Sequence, residues 1–507
     1  MSDDIASRAA RNLFFTGIRL AVSIGATLCT SAVIARELGP SNMGLYGYAM
    51  WIVGTLGILA NIGLPSAITK YISEYLGNGD VDTAVNVGKR LLLTQVIVAG
   101  AVSVLMGCFM ILKTPYRGLI GLASILLFMQ ALQQSLNATL AGVQKFNRLA
   151  RVGVYVALVS LASIGVAALL GAGVTGMLCA SLAAPLVAIW FYYRDIDNYL
   201  FRLTHGTTSS SARTTPNALN RVWKFSLTVS YILLLDSIVW QRSEVFFLKA
   251  YSTLAQIGFY TLAYSIVSKL SDVTSAFSSM LFPMYSESYG RKNFREIGFL
   301  FENAIKYVQM LIVPICFVGI ALAKPLIRIV YGSAFLPVAL PLEVLLASLT
   351  ITSMGVVGSP LLYGTEKQSF MAKYGSAIAV LNIVLDLLLI TRYAALGAAA
   401  ANCTAQIAGV IGGTFFAVRR THAKFPWRTI FTIYASGLIA VIPTAYIAAQ
   451  APFSVVWGAI SIVTAAAIYV GLLLCSGELG KQEITLLKRT FLNQPSSTEA
   501  LRPADSV

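Results

Sequence analysis

Fourteen times along its length this chain runs for about twenty residues with hardly a charged side chain. Wound as an α-helix at about 1.5 Å per residue, such a run crosses the roughly 30 Å hydrocarbon layer of a bilayer. In lipid each backbone amide must find its partner inside the protein, and a run of that length does so as a helix. The chain is therefore expected to be an all-α integral membrane protein. The runs lie near 13–35, 44–68, 91–112, 118–142, 152–171 and 174–193, then near 226–248, 254–283, 298–323, 338–363, 374–391 and 394–418, and last near 429–449 and 453–475. The run at 338–363 contains Pro341 and Pro360 and is the least regular. Composition agrees: 57% of residues are hydrophobic and 11% charged, with mean hydropathy +0.75. A soluble fold carries roughly 25% charged residues. The first run follows Arg8 and Arg11 and exceeds twenty residues, so it reads as a retained span rather than a cleaved signal peptide.

The net charge of +16 is spread over short loops and forms no basic, aromatic-interleaved domain, which argues against nucleic acid as a partner. Most of the 37 Lys and Arg residues fall on one side: the N-terminus, the loops after even-numbered runs and the C-terminal tail. The opposite loops hold only Arg36, Lys113, Arg117, Lys249, Lys324, Arg328 and Arg392. Cytoplasmic loops carry the excess of Lys and Arg, so both termini are expected in the cytoplasm, in a multi-pass protein of the plasma (inner) membrane. The six cysteines fall inside or at the edge of apolar runs with no C-x-x-C pair; they read as small core residues, with neither a disulfide framework nor a zinc site. His205 and His422 lie in loops and no phosphate-binding loop is present, so no cofactor is expected. Transport energy would come from an ion gradient, the membrane potential or consumption of the product.

The chain also repeats itself. Gly44-Leu45-Tyr46 corresponds to Gly258-Phe259-Tyr260, Gly142 and Lys145 to Gly364 and Lys367, and Gly176 to Gly397, at a nearly constant offset. Between the copies, 194–221 contains the Ser/Thr-rich "HGTTSSSARTTPN" and reads as a linker. The expected organisation is an N-terminal lobe over 1–193, the linker, a C-terminal lobe over 222–418, two further helices over 419–475 and a cytoplasmic tail over 476–507. Six helices per copy make the lobes parallel, related by an axis along the membrane normal, as in alternating-access carriers. Within "ARELGPSNMGLYGYA", Gly39 and Pro40 turn the chain after the first span. Gly44 lets the next helix start close against a neighbour, and Tyr46 and Tyr48 are expected at interface depth.

"IARELGPSNMGLYGYA", "GLPSAITKYISEY" and "LIRIVYGSAF" (Leu326 to Phe335), in that order and spacing, resemble the polysaccharide-biosynthesis transporters, the Wzx-type flippases of the multidrug/oligosaccharidyl-lipid/polysaccharide exporter superfamily. The resemblance covers 8–475 and fits the fourteen-helix reading. It implies a flippase that moves undecaprenyl-diphosphate-linked oligosaccharide from the cytoplasmic to the outer leaflet for surface polysaccharides such as O-antigen. The partners implied are the lipid-linked oligosaccharide, membrane lipids, a polysaccharide polymerase and a chain-length regulator. Other readings are a lipid II flippase or a drug/cation antiporter of the same superfamily; the latter would favour twelve helices and acidic cavities. A membrane glycosyltransferase would want a carboxylate pair or a large external loop, and the loops are short, so the chain is not read as an enzyme.

Ionisable groups inside spans carry the functional expectation, because charge in a bilayer is costly unless it faces protein or water. Arg19, Arg242, Lys269 and Lys306 are the substrate-binding candidates, Arg being suited to bidentate contact with phosphate oxygens. Against this stands the reading that Lys and Arg near span ends snorkel and that Glu302 pairs with Lys306. Asp236, Glu244 and Asp386 are the coupling candidates; Asp236 is either a proton or cation site or the counter-charge of Arg242. "GAGVTG" at 171–176 matches a dinucleotide-binding pattern by letters, yet it joins two apolar helices with no strand before it. The triplets at Asn137 and Asn402 match glycosylation sites only by letters, and "GVIGG" at Gly409 reads as helix packing. The stretch 480–492 reads as an interfacial amphipathic helix.

Overall fold

The computed structural model describes residues 2–113, 117–199, 216–237, 243–365, 368–421, 424–450 and 454–480. Among these the fold is helical throughout, with no strand. Helix α1 (Ser2–Asn61) is two helices joined at Gly39, whose φ of 68° only glycine adopts without strain, with Pro40 opening the second. The chain continues through α2 (Leu64–Gly77), α3 (Val81–Lys113), α4 (Arg117–Gly142), α5 (Phe146–Leu169), α6 (Gly173–Ser181) and α7 (Ala183–Tyr199). Gly171 and Gly173, both at positive φ, make the turn between α5 and α6, so "GAGVTG" is a helix–helix connection.

The second half comprises α8 (Pro216–Ser237), α9 (Ser243–Tyr251), α10 (Leu254–Gly290) and α11 (Phe294–Val330). A 3-10 turn (Ser333–Val338) leads into α12 (Ala339–Thr352) and α13 (Gly355–Gly364), so the proline-bearing run at 338–363 is a broken pair of helices. Helix α14 (Gln368–Thr421) reverses at Ala394 (φ 46°), and a Cβ on Gly397 would stand 2.1 Å from the carbonyl oxygen of Leu389. Helices α15 (Trp427–Ala449) and α16 (Val455–Cys475) complete the bundle. Asn293 caps α11 reciprocally: its side chain accepts from the Glu296 amide at 3.2 Å and donates to the Glu296 carboxylate at 3.0 Å.

Among the described residues, ten helices are long and apolar enough to cross a membrane by length and composition; α1 and α14 count once each despite their reversals. Their outer faces carry large apolar side chains such as Ile97, Leu105, Phe431 and Val463, the surface a bilayer would cover. Helices α2, α3, α4, α5 and α7 pack around Ile68, Tyr71, Leu136 and Tyr192, while α10, α11, α13, α14 and α15 pack around Tyr285, Phe301, Val308 and Leu361. Helices α15 and α16 attach through α11, at Val313, Ile433 and Tyr469. Of the interval read as a linker, 194–199 and 216–221 are helical and 200–215 lie outside the described residues. Residues 481–492 of the expected amphipathic helix also lie outside them.

One expectation is corrected. Cys316 and Cys403 are core residues, but Cys29, Cys108, Cys179 and Cys475 are exposed. In a membrane protein an apolar run has a protein-facing and a lipid-facing side of equal polarity, so hydropathy does not separate them.

Candidate functional site

The two halves meet along two seams. At the α1 corner, Ile34, Ala35, Leu38 and Met43 of α1 share a core with α10 residues Ile257 and Tyr260. Arg36 Nε donates to the Val330 carbonyl at 2.7 Å and its guanidinium also reaches the Ile329 carbonyl. Ser31 Oγ and the Tyr331 hydroxyl lie 3.0 Å apart. At the far end of the second half of α1, Gly63 caps α2 at φ 66° and a Cβ there would stand 2.3 Å from the Ser226 carbonyl oxygen of α8. Ser226 Oγ donates to the Ile62 carbonyl at 2.5 Å, Tyr71 donates to the Arg221 carbonyl at 3.2 Å, and Arg221 pairs with Glu74 at 3.0 Å.

Between the seams lies a cavity of about 540 Å³. Ser23, Thr27, Thr30 and Ser31 of α1 line one side and Thr261, Tyr264, Ser265 and Ser268 of α10 the other. Tyr46 lines it too, and its hydroxyl meets Ser181 Oγ at 3.1 Å; this residue, expected at interface depth, faces inward. A second chamber of about 940 Å³ is bounded by α10, α12, α13 and α14. The two share Tyr264 and Ser268, so they adjoin. Among the described lining residues of both, Asp272 is the one charged group.

Behind these cavities α9 and the two arms of α14 bring together Glu244, Asn382, Asp386 and Asn402, all at most 1% exposed. Asn402 Nδ2 donates to Glu244 Oε1 at 2.7 Å, and Ser243 Oγ donates to Asp386 Oδ2 at 2.7 Å. Asn382 Nδ2 donates to Ser243 Oγ at 2.7 Å and lies 3.5 Å from Glu244 Oε1 and 3.4 Å from Asp386 Oδ2. One amide thus bridges two buried carboxylates. Glu244 Oε2 and Asp386 Oδ1 have no hydrogen-bond partner among the described residues. Two carboxylates in so little space repel each other unless a proton or a cation joins them. Gln406 Nε2 donates to Asn402 Oδ1 at 2.8 Å, and Asn402 and Gln406 both line the larger chamber. The carboxylate pair is therefore one side chain removed from the cavity wall.

The other candidates fall elsewhere. Lys269 pairs with Asp272 at 2.9 Å, and Lys306 lies 3.6 Å from Glu478 just beyond α16. Glu302 accepts from the Lys424 amide at 3.2 Å. Neither Lys269 nor Lys306 is a lining residue of the two cavities. Arg19 is on α1, one turn before the cavity-lining Ser23, and Asp236 is on α8; the side chains of both lie outside the described residues, as does Arg242 altogether. Sequence reading by charge missed Asn382, Asn402 and Gln406. Their signal was spacing: Asn382 stands one turn before Asp386 and Asn402 one turn before Gln406, polar pairs on one face of an apolar helix.

Comparison with known proteins agrees with this architecture. The inward closed conformation of the lipid II flippase MurJ superposes with a TM-score of 0.69 over 92% of this chain and 99% of that one, at 15% identity. An inward-facing multidrug resistance MATE family transporter of the MOP superfamily gives 0.61 over 80% and 98%, at 16% identity. A Haloferax volcanii protein named "Probable low-salt glycan biosynthesis flippase Agl15" is 20% identical over 84% of this chain and 87% of its own length. The lipid III flippase of Escherichia coli is 28% identical over 23% of this chain, spanning 29% of that protein. The model of the lipid II flippase MurJ family matches 252–471. The model described as polysaccharide biosynthesis protein matches 33–340, more than half of the sequence, and the chain belongs to that family.

Proposed function

We propose that this protein is a flippase that carries an undecaprenyl-diphosphate-linked oligosaccharide from the cytoplasmic to the outer leaflet for cell-surface polysaccharide synthesis. The observation that carries the reading is a polar cavity held between two seams in a bundle whose outer surface is apolar. In an alternating-access carrier such seams open in turn around a fixed site. Fourteen passes follow when α1 and α14 count twice, α6–α7, α8–α9 and α12–α13 each count once, and the short α2 is taken as an extension of α1. Both termini are cytoplasmic in this reading, because the seam at Gly63 lies among the basic residues Lys70, Arg221 and Lys224. The Gly39 corner then faces outward.

The diphosphate head enters on the α1 side, where Arg19 and Arg242 supply the positive charge. Lys269 and Lys306 are engaged by acids and leave that role. Glu244 and Asp386, bridged by Asn382, couple the cycle to a proton or cation. The protein acts without chemical conversion of its substrate and hands it to a polymerase and chain-length regulator on the outer face. A lipid II flippase is the second reading, favoured by the MurJ family match over 252–471.

The test is reconstitution into liposomes with a fluorescent undecaprenyl-diphosphate-linked tetrasaccharide or fluorescent lipid II, with leaflet exposure read by an impermeant quencher. Protein-dependent movement of the tetrasaccharide lipid supports the reading, faster movement of lipid II favours the second, and movement of neither overturns both.

A further inference from the structure

The larger chamber has a lining unlike an anion site. Ser268, Ser271, Thr274 and Ser275 on α10, and Ser353 at the α12–α13 break, all line it. Each donates its hydroxyl hydrogen back to its own helix: Ser268 to the Ser265 carbonyl at 3.0 Å, Ser271 to Val267 at 3.2 Å, and Thr274 and Ser275 to Ser271 at 2.8 and 3.0 Å. Ser353 donates to Thr350 at 3.1 Å. A serine or threonine hydroxyl has one donor and two acceptor lone pairs. With the donor directed at the backbone, the α10 hydroxyls present acceptors to the chamber; Ser353 also accepts from Gln309 Nε2 at 2.8 Å.

An acceptor wall selects by chemistry. A diphosphate brings only acceptors and negative charge; the α10 hydroxyls named have spent their hydrogens, the Gln406 amide already donates to Asn402, and the one nearby ammonium, Lys269, is held by Asp272, so this wall offers it no charged donor that is not already paired. A neutral sugar brings several hydroxyl donors of its own. Tyr264, Tyr363 and Phe282 add aromatic surface to the same wall, on which the apolar faces of sugar rings can rest. A volume of about 940 Å³ is near the upper end of the roughly 300–1,000 Å³ of ligand pockets, room for more than one sugar.

We infer that the chamber between α10, α12, α13 and α14 is a subsite for the neutral glycan of the transported lipid, separate from the site of its diphosphate. The inference rests on the flippase reading. It divides the substrate between the halves: the charged head stays on the α1 side and the glycan turns past Tyr264 and Ser268, the residues common to both cavities. Since Gln406 and Asn402 run from this wall to Glu244, a glycan in the chamber lies beside the carboxylate pair.

The test uses the full-length protein in nanodiscs and two probes, undecaprenyl diphosphate and undecaprenyl-diphosphate-linked chitotetraose, with affinity read by native mass spectrometry. Ser275→Leu on α10 and Ser359→Leu on the facing α13 each fill the chamber from one wall, so a misfolded variant on one side leaves the other to decide. Either folded variant is expected to bind the chitotetraose lipid at least about tenfold more weakly, the loss of one or two hydrogen bonds with their space. Binding of undecaprenyl diphosphate should stay within about twofold of wild type. Equal effects on both probes, or none on either, would overturn the glycan subsite, as would wild-type protein binding the bare lipid as tightly as the chitotetraose lipid. Wild-type protein binding neither probe would instead overturn the flippase reading and this inference with it.

Discussion

Gly44 and Gly258 meet backbone to backbone where the two halves join: a Cβ on Gly258 would stand 2.5 Å from the Pro40 carbonyl oxygen and 3.0 Å from the Gly44 amide nitrogen. On Gly44 it would stand 1.7 Å from the Leu254 carbonyl oxygen. Gly44 lies near the start of the second helix of α1 and Gly258 near the start of α10, so each helix supplies half of one close approach. Neither separation leaves room for a side chain, and the atoms in the way are backbone, which cannot rotate aside.

Gly44→Leu should therefore prop this seam open while leaving each half packed. Overpacking costs roughly 1–3 kcal/mol, enough to move a two-state equilibrium by about fivefold to a hundredfold. A cysteine introduced at Thr261, on the cavity wall, should label faster from the corner side in this variant, and lipid flipping should fall by at least about tenfold. Wild-type flipping would mean that the seam does not need to close.

The opposite seam allows a comparison of two contacts of unequal weight. The Arg221–Glu74 pair is largely exposed on the Arg side, at 60%, and such a pair contributes about 0–1 kcal/mol. Gly63 has a positive φ and an oxygen 2.3 Å from where a Cβ would sit. Gly63→Val should abolish closure on this face and most transport, whereas Arg221→Ala should change the rate by no more than about fivefold. A reversed order in a flipping assay at matched expression would move the weight of this latch to the ion pair.

Asp386→Asn and Glu244→Gln each remove one of two carboxylates that share Asn382. Wild-type transport should rise with a sodium or proton gradient, and each variant should lose that dependence while keeping its thermal midpoint within a few degrees. If a cation is the bridging partner, adding sodium should raise the wild-type midpoint by mass action and leave the variants unmoved. A variant that retains the wild-type response to both gradients would reduce the cluster to a packing device.

The helical content and the corner at Gly39 were legible because each has a local signature: apolar length and a Gly-Pro step. The site was legible only in part. Charge pointed to Glu244 and Asp386 but gave no reason to join them, since the bridging Asn382 and Asn402 are neutral and α9 lies more than a hundred residues before α14. Nor could charge tell a cavity lysine from a paired one: Lys306 finds Glu478, a partner far along the chain and outside any helical register. The serine and threonine lining of the larger chamber was equally silent, because hydroxyls on apolar helices read as ordinary packing until their donors are seen to turn inward.

Affinity and stability separate at two cationic residues, Arg19 and Lys306. Arg19 stands one turn before the cavity-lining Ser23 on α1. No Lys or Arg is among the described lining residues of the two cavities, so a guanidinium on this part of α1 would give a diphosphate a charged donor, and a charge-assisted bidentate contact contributes roughly 1.5–3 kcal/mol. Arg19→Ala should weaken binding of undecaprenyl diphosphate by about ten- to a hundredfold with little change in thermal stability. Arg19→Lys should recover part of the loss, keeping charge without the fork. Lys306, whose side chain is 17% exposed, pairs with a Glu478 side chain 14% exposed, and removing one partner strands the other in a nearly closed site. Lys306→Ala should therefore lower the thermal midpoint and leave affinity for the bare lipid diphosphate within about twofold. Affinity lost at Lys306 with stability intact would return that residue to the substrate path, and unchanged affinity in Arg19→Ala would remove α1 from it.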